Sequence, residues 1–434
     1  MKLKLGTFEV KDVLASDTTC YKQGILQINI KEMEKIILAD AAIGKAEISI
    51  VKPGEQKRIV HILDTIEPRI KLDQNLEAFP GQLATAPLTV GCGTTHRLHG
   101  VAVMECAELP LRAGGLLVPR EAIVDMSGPG IWYSPFWEYI NIVLAIEIAD
   151  GFSDIEYDNA VRAAGIKIAK YLAGTTRDLE PEMYEEWDNS DRNPDLPNVV
   201  YIHQYQSQGT FAHTFSYGRN MFENLPTLIS PNELIDGALV SGNYAYGCYK
   251  TPTWLHCNNP VMWQLYKEHG KSLNFTGVII SRGHNYTFYE KLRSAQFAAK
   301  IAKEINAQGA VISWEGGGNS IIEAMQTVKA CENNGIKTVI LGYEMGGPSG
   351  DAIAMLDSVP EADAIVSTGS IDKHISLPAL EAVGGETLRL SPETQHGSGI
   401  VEVDASGPLE FCISHEMYCG ANHTGFSRWA ARDY

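Results

Sequence analysis

The sequence predicts an α/β protein: a β-rich N-terminal domain, then a parallel sheet with flanking helices in the C-terminal half. Three observations carry this. Short Val/Ile-rich runs in the second half are each followed by a segment of helical periodicity, the pattern of a parallel sheet covered by helices. The first 120 or so residues alternate strand-like runs with turn signals. The 434 residues, 44% hydrophobic and 20% charged, suffice for two or three domains with separate cores.

In order along the chain, LKLGTFEV, ILQINI, AEISIV, KRIVHILD and VAVMECAEL read as strands, separated by breakers such as Lys52-Pro53-Gly54 and Phe79-Pro80-Gly81. They define a β-rich domain over 1–120. DMSGPGIWYSPF, from Asp125, is a Gly/Pro loop rich in aromatics, and INIVLAIEIA after it is an apolar strand. Val161, Ala164, Ile166, Ile168 and Leu172 fit an amphipathic helix from Asp158 to Ala173, ended by Gly174. The acidic, proline-containing stretch from Asp178 to Pro197 reads as a solvated linker. It closes an α/β segment over 121–200.

The remaining 201–434 form an α/β domain. NVVYIHQYQ is its entering strand. GVIIS (277–281), AVISW (310–314), KTVILGY (337–343) and AIVST (364–368) follow as strands, with helices near 289–307, 319–334 and 350–357. Ligands of open sheets sit beyond the carboxyl ends of the strands. Those ends carry SRGHN (281–285), WEGGGN (314–319), YEMGG (343–347) and STGS (367–370), so Glu315, Asn319, Ser367 and Thr368 become candidate substrate-binding residues. Neither G-x-G-x-x-G nor G-x-x-x-x-G-K-[ST] is present, which excludes the common nucleotide fingerprints.

With 35 Lys+Arg against 53 Asp+Glu, the formal charge is −18. That balance opposes nucleic acid and anionic lipid as partners. No apolar run reaches the ~18 residues a spanning helix requires, and MKLKLGTFEVKD does not read as a signal peptide. A cytoplasmic location is expected. Eight scattered cysteines read as thiols. Two Cys/His groups have ligand-like spacing: Cys412, His415, Cys419 and His423, and Cys92, His96 and His99. The strand-like alternation of LEFCISHEMY and the loop setting of the second group favour ordinary side chains over a metal site.

The most informative segment runs from Pro231 to Ser281: ELIDGALVSGN (233–243), YAYGC (244–248), HCNNP (256–260) and YKEHGKSLNFTGVII (266–280). Together with IEPR (66–69), DMSGPG (125–130), QSQG (206–209), VSTG (366–369), GAN (420–422) and GF (425–426), it resembles the component B proprotein family of the glycine, sarcosine and betaine reductases, which is related to the D-proline reductase proprotein. The resemblance implies a reductase subunit that cleaves a C–N bond together with a thiol- or selenol-bearing partner subunit, in a hetero-oligomeric complex acting on a small molecule. It also implies a self-processing site before a cysteine, which becomes a pyruvoyl group.

At the matching position this chain has Tyr244, after Asn243. Processing requires a nucleophilic heteroatom on Cβ that attacks the preceding carbonyl and later leaves. A phenol ring on Cβ does neither, so no pyruvoyl cofactor is expected and the chain should remain whole. Asn243, Tyr244, Cys248, His256 and Cys257 are the candidate catalytic residues. Gln206 and Gln208 of QSQG join the candidate substrate-binding set. Tyr244, Tyr246, Tyr249 and Trp254 make the region aromatic enough for an apolar or cation-binding pocket. Two other readings stay open: a non-catalytic scaffold or regulatory paralogue, and a metal-dependent enzyme using Cys and His residues.

Overall fold

The computed structural model describes residues 1–72, 90–107, 122–206, 213–242, 247–347, 355–372, 374–385, 388–390, 401–411 and 414–425. The protein is mixed α/β. In its N-terminal part, strand Lys2–Glu9 pairs parallel with Gly93–His99 and antiparallel with Met183–Asp188. A second sheet places Ile140–Ile148 between Ile43–Val51 and Val101–Cys106, with Ile62–Ile66 beyond.

Helix Asp154–Ala173 covers these strands. Val161, Ala164, Ile168 and Leu172 pack in one core with Val101, Val103, Ile142 and Leu144. Each of the buried Val, Ile and Leu side chains contributes about 1.5–3 kcal/mol. The helix begins four residues before the expected Asp158 because Ser153 and Glu156 form a capping box, which satisfies two of the unpaired N–H groups at its start.

Part of the acidic stretch expected to be a solvated linker is therefore a strand. Met183–Asp188 completes the edge of the first sheet, where backbone pairing decides the structure and the acidic side chains need only partial exposure. Trp187 packs edge-on against Trp263 with ring centroids 4.4 Å apart, tying the segment to the second half of the chain.

The central sheet of the second half contains β1 (Asn198–Tyr205), β2 (Thr227–Ile229), β3 (Asn274–Arg282), β4 (Gly309–Trp314), β5 (Lys337–Glu344) and β6 (Ile365–Ser370). Their spatial order is β2-β3-β1-β4-β5-β6. All neighbours run parallel except β2, which lies antiparallel on β3. Helices α1 (Phe288–Glu304) and α2 (Asn319–Glu332) follow β3 and β4. They pack Ala295, Ala298, Ala302, Ile321, Ala324 and Val328 onto Val200, Ile202 and Ile312. The helix expected near 350–357 falls largely on residues outside those described.

Strand β1 enters in the middle of the sheet. The chain passes first to β2 and β3 on one side, then to β4, β5 and β6 on the other. This reversal is a topological switch point, where the loops leaving two adjacent strands diverge and open a crevice at their carboxyl ends. Here those two strand ends are Tyr205 of β1 and Trp314 of β4.

Candidate functional site

The alternation of β1 sets the site. Val200 and Ile202 face the helix side, in the core of α1 and α2, while Tyr201 and Tyr205 face the other side with Phe275, Met262 and Leu265. His203 shares the face of the two tyrosines, as period-two geometry requires. It stands directly opposite Ser313 of β4. Glu315, two residues beyond Ser313, continues the same face past the strand end.

These residues form a buried polar chain. Asn259 caps the helix Pro260–Glu268 with its Oδ1, and its Nδ2 donates to the Tyr201 hydroxyl at 3.0 Å. The Tyr201 hydroxyl lies 2.6 Å from Ser313 Oγ, which is 3.0 Å from His203 Nδ1. His203 Nε2 is 3.2 Å from Glu315 Oε1. The Gln206 amide N–H donates to the other oxygen, Oε2, at 2.7 Å. From the opposite side, the short helix Thr253–Cys257 brings His256 Nε2 within 3.6 Å of Glu315 Oε1. His203 and His256 are fully buried and Glu315 is 2% exposed. Among the described residues, His256 finds no hydrogen-bond partner for either nitrogen. An unsatisfied buried polar group ordinarily carries a penalty of about 1–3 kcal/mol.

The loop after β4 explains its three consecutive glycines. Gly316 has φ +78°, and a Cβ there would lie 2.0 Å from Gln206 Oε1 and 2.7 Å from His284 Cε1. A Cβ on Gly317 would lie 2.9 Å from the Tyr249 ring. The space belongs to a second polar shell: His284 Nδ1 is 2.7 Å from Gln206 Oε1, His284 Nε2 is 3.1 Å from the Gly317 carbonyl, and the Tyr343 hydroxyl donates to the Gly316 carbonyl at 2.8 Å. Tyr249 lies 5.5 Å from Tyr343, centroid to centroid, and its hydroxyl is 2.6 Å from His415 Nε2. His423 Nε2 meets the Tyr249 carbonyl at 2.8 Å.

Burial would raise the Glu315 carboxyl, but the His203 hydrogen bond, the neighbouring imidazoles and the Gln206 N–H outweigh it and hold the group below the usual carboxylate range. Burial pushes His256, His284 and His423 down to about 4. At neutral pH the Glu315 carboxylate therefore lies beside an uncharged His256, an electron-rich arrangement suited to holding a cation.

Arg282, at the carboxyl end of β3, is 5% exposed, and its Nε and Nη2 have no hydrogen-bond partner among the described residues. Its guanidinium carbon sits 4.1 Å over the Phe222 ring and 5.2 Å over that of Tyr286. Aromatic faces can hold the cation in place while leaving those two N–H donors available.

Among the expected site residues, Gln206, His256 and Glu315 meet. Asn243, Tyr244 and Gln208 lie outside the described residues. Cys248, in the turn Gly247–Tyr249, is buried in the core that also holds Trp314 and Tyr343. Cys257 turns away from its neighbour His256, as successive helical residues must. Its charged neighbours are Arg69, Glu67, Asp236 and Asp64, and burial pushes its thiol up to about 11, which leaves little thiolate at neutral pH. Asn319 is exposed at the first turn of α2. Ser367 and Thr368 sit on the edge strand β6, two strands beyond β4.

The aromatic residues also divide: Trp254 packs with Phe136 and Tyr139, in a different core from Tyr249. His96 and His99 point to different partners, Thr176 O and Glu67. Cys412 is outside the described residues. Among those described, His203, His256 and Glu315 are the group whose ligand atoms converge, all within 4.8 Å of one another.

Sequence reasoning missed His203, Tyr201, Ser313 and Asn259. The signal was available. It lies in NVVYIHQYQ, where a histidine interrupts an apolar run at a strand end just before Gln204 and Gln206.

Sequence comparison matches residues 1–432 to the glycine/sarcosine/betaine reductase component B subunits. Similar proteins include the glycine reductase complex component B subunits alpha and beta of Acetoanaerobium sticklandii, 35% identical, and the sarcosine reductase complex component B subunit alpha of Peptoclostridium acidaminophilum, 33% identical. The betaine reductase complex component B subunit alpha of the latter organism is 34% identical. Each alignment covers 100% of both chains. No solved structure matches. Among the described residues, no helix is long and apolar enough to cross a membrane.

Proposed function

The chain belongs to the glycine/sarcosine/betaine reductase component B family, and we propose that it is the substrate-binding subunit of an amino-acid reductase-like complex, retained as one polypeptide. The observation that carries this reading is the convergence of Gln206, His256 and Glu315 with His203 at the switch point of the central sheet, in a chain aligned end to end with its relatives.

In the reaction proposed, a C–N or related C–X bond of a small amine breaks. The nitrogen departs with its electron pair and a proton, and the carbon bonds to sulfur or selenium of a partner subunit, which supplies the reducing equivalents. The substrates named in the relatives all carry a carboxylate. Arg282 supplies two unpaired N–H donors for such a group, in the fork geometry that matches it. Gln206, held by His284, and the Glu315 carboxylate address the opposite, cationic end. The pyruvoyl group of the family does not fit here. Tyr244 offers no heteroatom on Cβ, so no step is routed through it.

Intact-mass measurement on denatured protein tests retention: one chain of 47.5 kDa is expected. Two fragments, one with a carbonyl-reactive terminus, would overturn it. Calorimetric titration with glycine, sarcosine and betaine tests substrate binding. Turnover with a thiol- or selenol-bearing partner tests the enzyme reading, and binding without turnover would leave a scaffold as the better account.

A further inference from the structure

Three features of the His203, His256 and Glu315 group exceed what a proton relay needs. The first is geometry. A tetrahedral ion bonded at ~2.0–2.1 Å to nitrogen and oxygen separates its ligand atoms by roughly 3.3–3.4 Å. The Glu315 Oε1 distances to His203 Nε2 and His256 Nε2, 3.2 and 3.6 Å, bracket that value, and the third edge is within 4.8 Å.

The second is orientation. A metal-bound imidazole is held through its other nitrogen. His203 Nδ1 faces Ser313 Oγ at 3.0 Å, Ser313 is backed by Tyr201, and Tyr201 by Asn259. The free oxygen of Glu315, Oε2, is likewise fixed by the Gln206 N–H. The third is His256. It is fully buried, its Nε2 lies 3.6 Å from Glu315 Oε1, and neither nitrogen has a hydrogen-bond partner among the described residues, so Nε2 is available to an ion.

We propose that His203, His256 and Glu315 bind one divalent first-row transition ion, through Nε2 of each imidazole and Oε1 of the carboxylate. Two imidazoles and one carboxylate suit zinc or iron(II) and exclude the softer thiolate-bound ions. Three protein ligands leave a position open for water or a substrate oxygen or nitrogen, the pattern of a reactive rather than a structural centre. On binding, His203 carries its proton on Nδ1, donated to Ser313 Oγ, and the Nε2 lone pair goes to the ion. The site depends on residues of this chain alone and stands independently of the reductase reading.

The test uses the full-length chain, stripped with chelator and titrated anaerobically with Zn²⁺, Fe²⁺ and Co²⁺ alone. One equivalent per chain is expected by elemental analysis after desalting, with Co²⁺ giving visible absorption of a low-symmetry four- or five-coordinate site. Bound metal should raise the thermal midpoint by mass action. His203→Ala, His256→Ala and Glu315→Gln should abolish the cobalt spectrum. Ser313→Ala, which keeps all three ligands, should weaken affinity about 10–100-fold. His99→Ala, remote from the group, should leave metal stoichiometry and the cobalt spectrum unchanged. Absence of stoichiometric uptake of all three ions by the folded chain would overturn the proposal, as would uptake that survives in folded ligand variants.

Discussion

Replacing Gly316 with alanine isolates how tightly the loop after β4 is built around the site. Gly270 provides the reference. Both have left-handed backbones, φ +78° and +73°, but a Cβ on Gly270 meets nothing within 4 Å, whereas one on Gly316 would lie 2.0 Å from Gln206 Oε1. The conformational penalty of a side chain in this region, about 1–2 kcal/mol, applies to both. Overpacking adds about 1–3 kcal/mol at Gly316 alone. Gly270→Ala should thus destabilise by about 1–2 kcal/mol and Gly316→Ala by about 2–5 kcal/mol. Displacing Gln206 also moves the N–H that fixes Glu315 Oε2, so ligand binding should fail in Gly316→Ala and persist in Gly270→Ala. Urea midpoints and calorimetric titration of each variant read the two effects. Equal midpoints, or intact binding in Gly316→Ala, would refute the view that this turn is glycine because Gln206 and His284 occupy the space.

The other expectations concern buried charge. If Arg282 receives the substrate carboxylate, Arg282→Ala removes charge-assisted hydrogen bonds worth about 1.5–3 kcal/mol and should weaken binding of a carboxylate substrate by roughly 10–150-fold; an unchanged dissociation constant would exclude the role. Burial would raise the Glu67 carboxyl, but the charges of Arg69 and Arg97 and the hydrogen bond from His99 hold it well below its ordinary 4.5. Its stabilising contribution is therefore present above about pH 4.5 and lost as pH falls through the lowered folded value. Glu67→Gln should cost about 3–5 kcal/mol at neutral pH, and thermal midpoints of the two proteins should converge on acidification. Glu105 behaves oppositely. Burial, then the nearby Asp64 charge, raises its carboxyl well above 4.5, and neither oxygen has a hydrogen-bond partner among the described residues. Its proton-linked stability is full below the unfolded value and declines as pH rises toward the folded one. The midpoint of Glu105→Gln relative to wild type should therefore climb between pH 5 and pH 8, and a flat difference would contradict the assignment.

The parallel sheet was legible because each strand is a local Val/Ile run followed by a local helical pattern, and β3, β4, β5 and β6 fall where those runs are. The spatial order of the strands was not, since no local signal tells β1 to lie between β3 and β4. Without that order, Glu315 and Gln206 could be nominated separately from strand ends, but their meeting could not be foreseen. His256 was singled out for its proximity to the processing segment. Its contact with Glu315 arises instead because Thr253 is anchored to Asp64, with N–H and hydroxyl at 3.0 and 2.6 Å, a pairing 189 residues apart in sequence. Ser367 and Thr368 satisfied the same strand-end rule as Glu315 yet lie on an edge strand, because the rule says which end of a sheet matters and not which strands flank the crevice. The acidic stretch misled for a related reason: composition reports side chains, whereas Met183–Asp188 is recruited by the unpaired backbone edge of Lys2–Glu9.

The proposed loss of processing at Tyr244 and the arrangement at Glu315 bear on one chemical question. An amine bound to a carbonyl becomes activated because the carbonyl withdraws electrons from its C–N bond. If Tyr244 stands at the family's processing position, that carbonyl does not form there, and activation must come from another electron-withdrawing contact or not occur. Proton donation from His256 is a poor replacement at neutral pH, since burial pushes it down to about 4 and leaves it without a proton to give. Glu315, held as a carboxylate, donates none either. What remains within the group is its capacity to hold a cation. A cationic substrate placed there would be positioned but not activated, whereas an ion with an open coordination position would withdraw electrons from whatever it bound. Cobalt titration in the presence and absence of glycine, sarcosine or betaine separates the two: a substrate that competes with the ion belongs to the first case, and one that shifts the cobalt spectrum without displacing it belongs to the second.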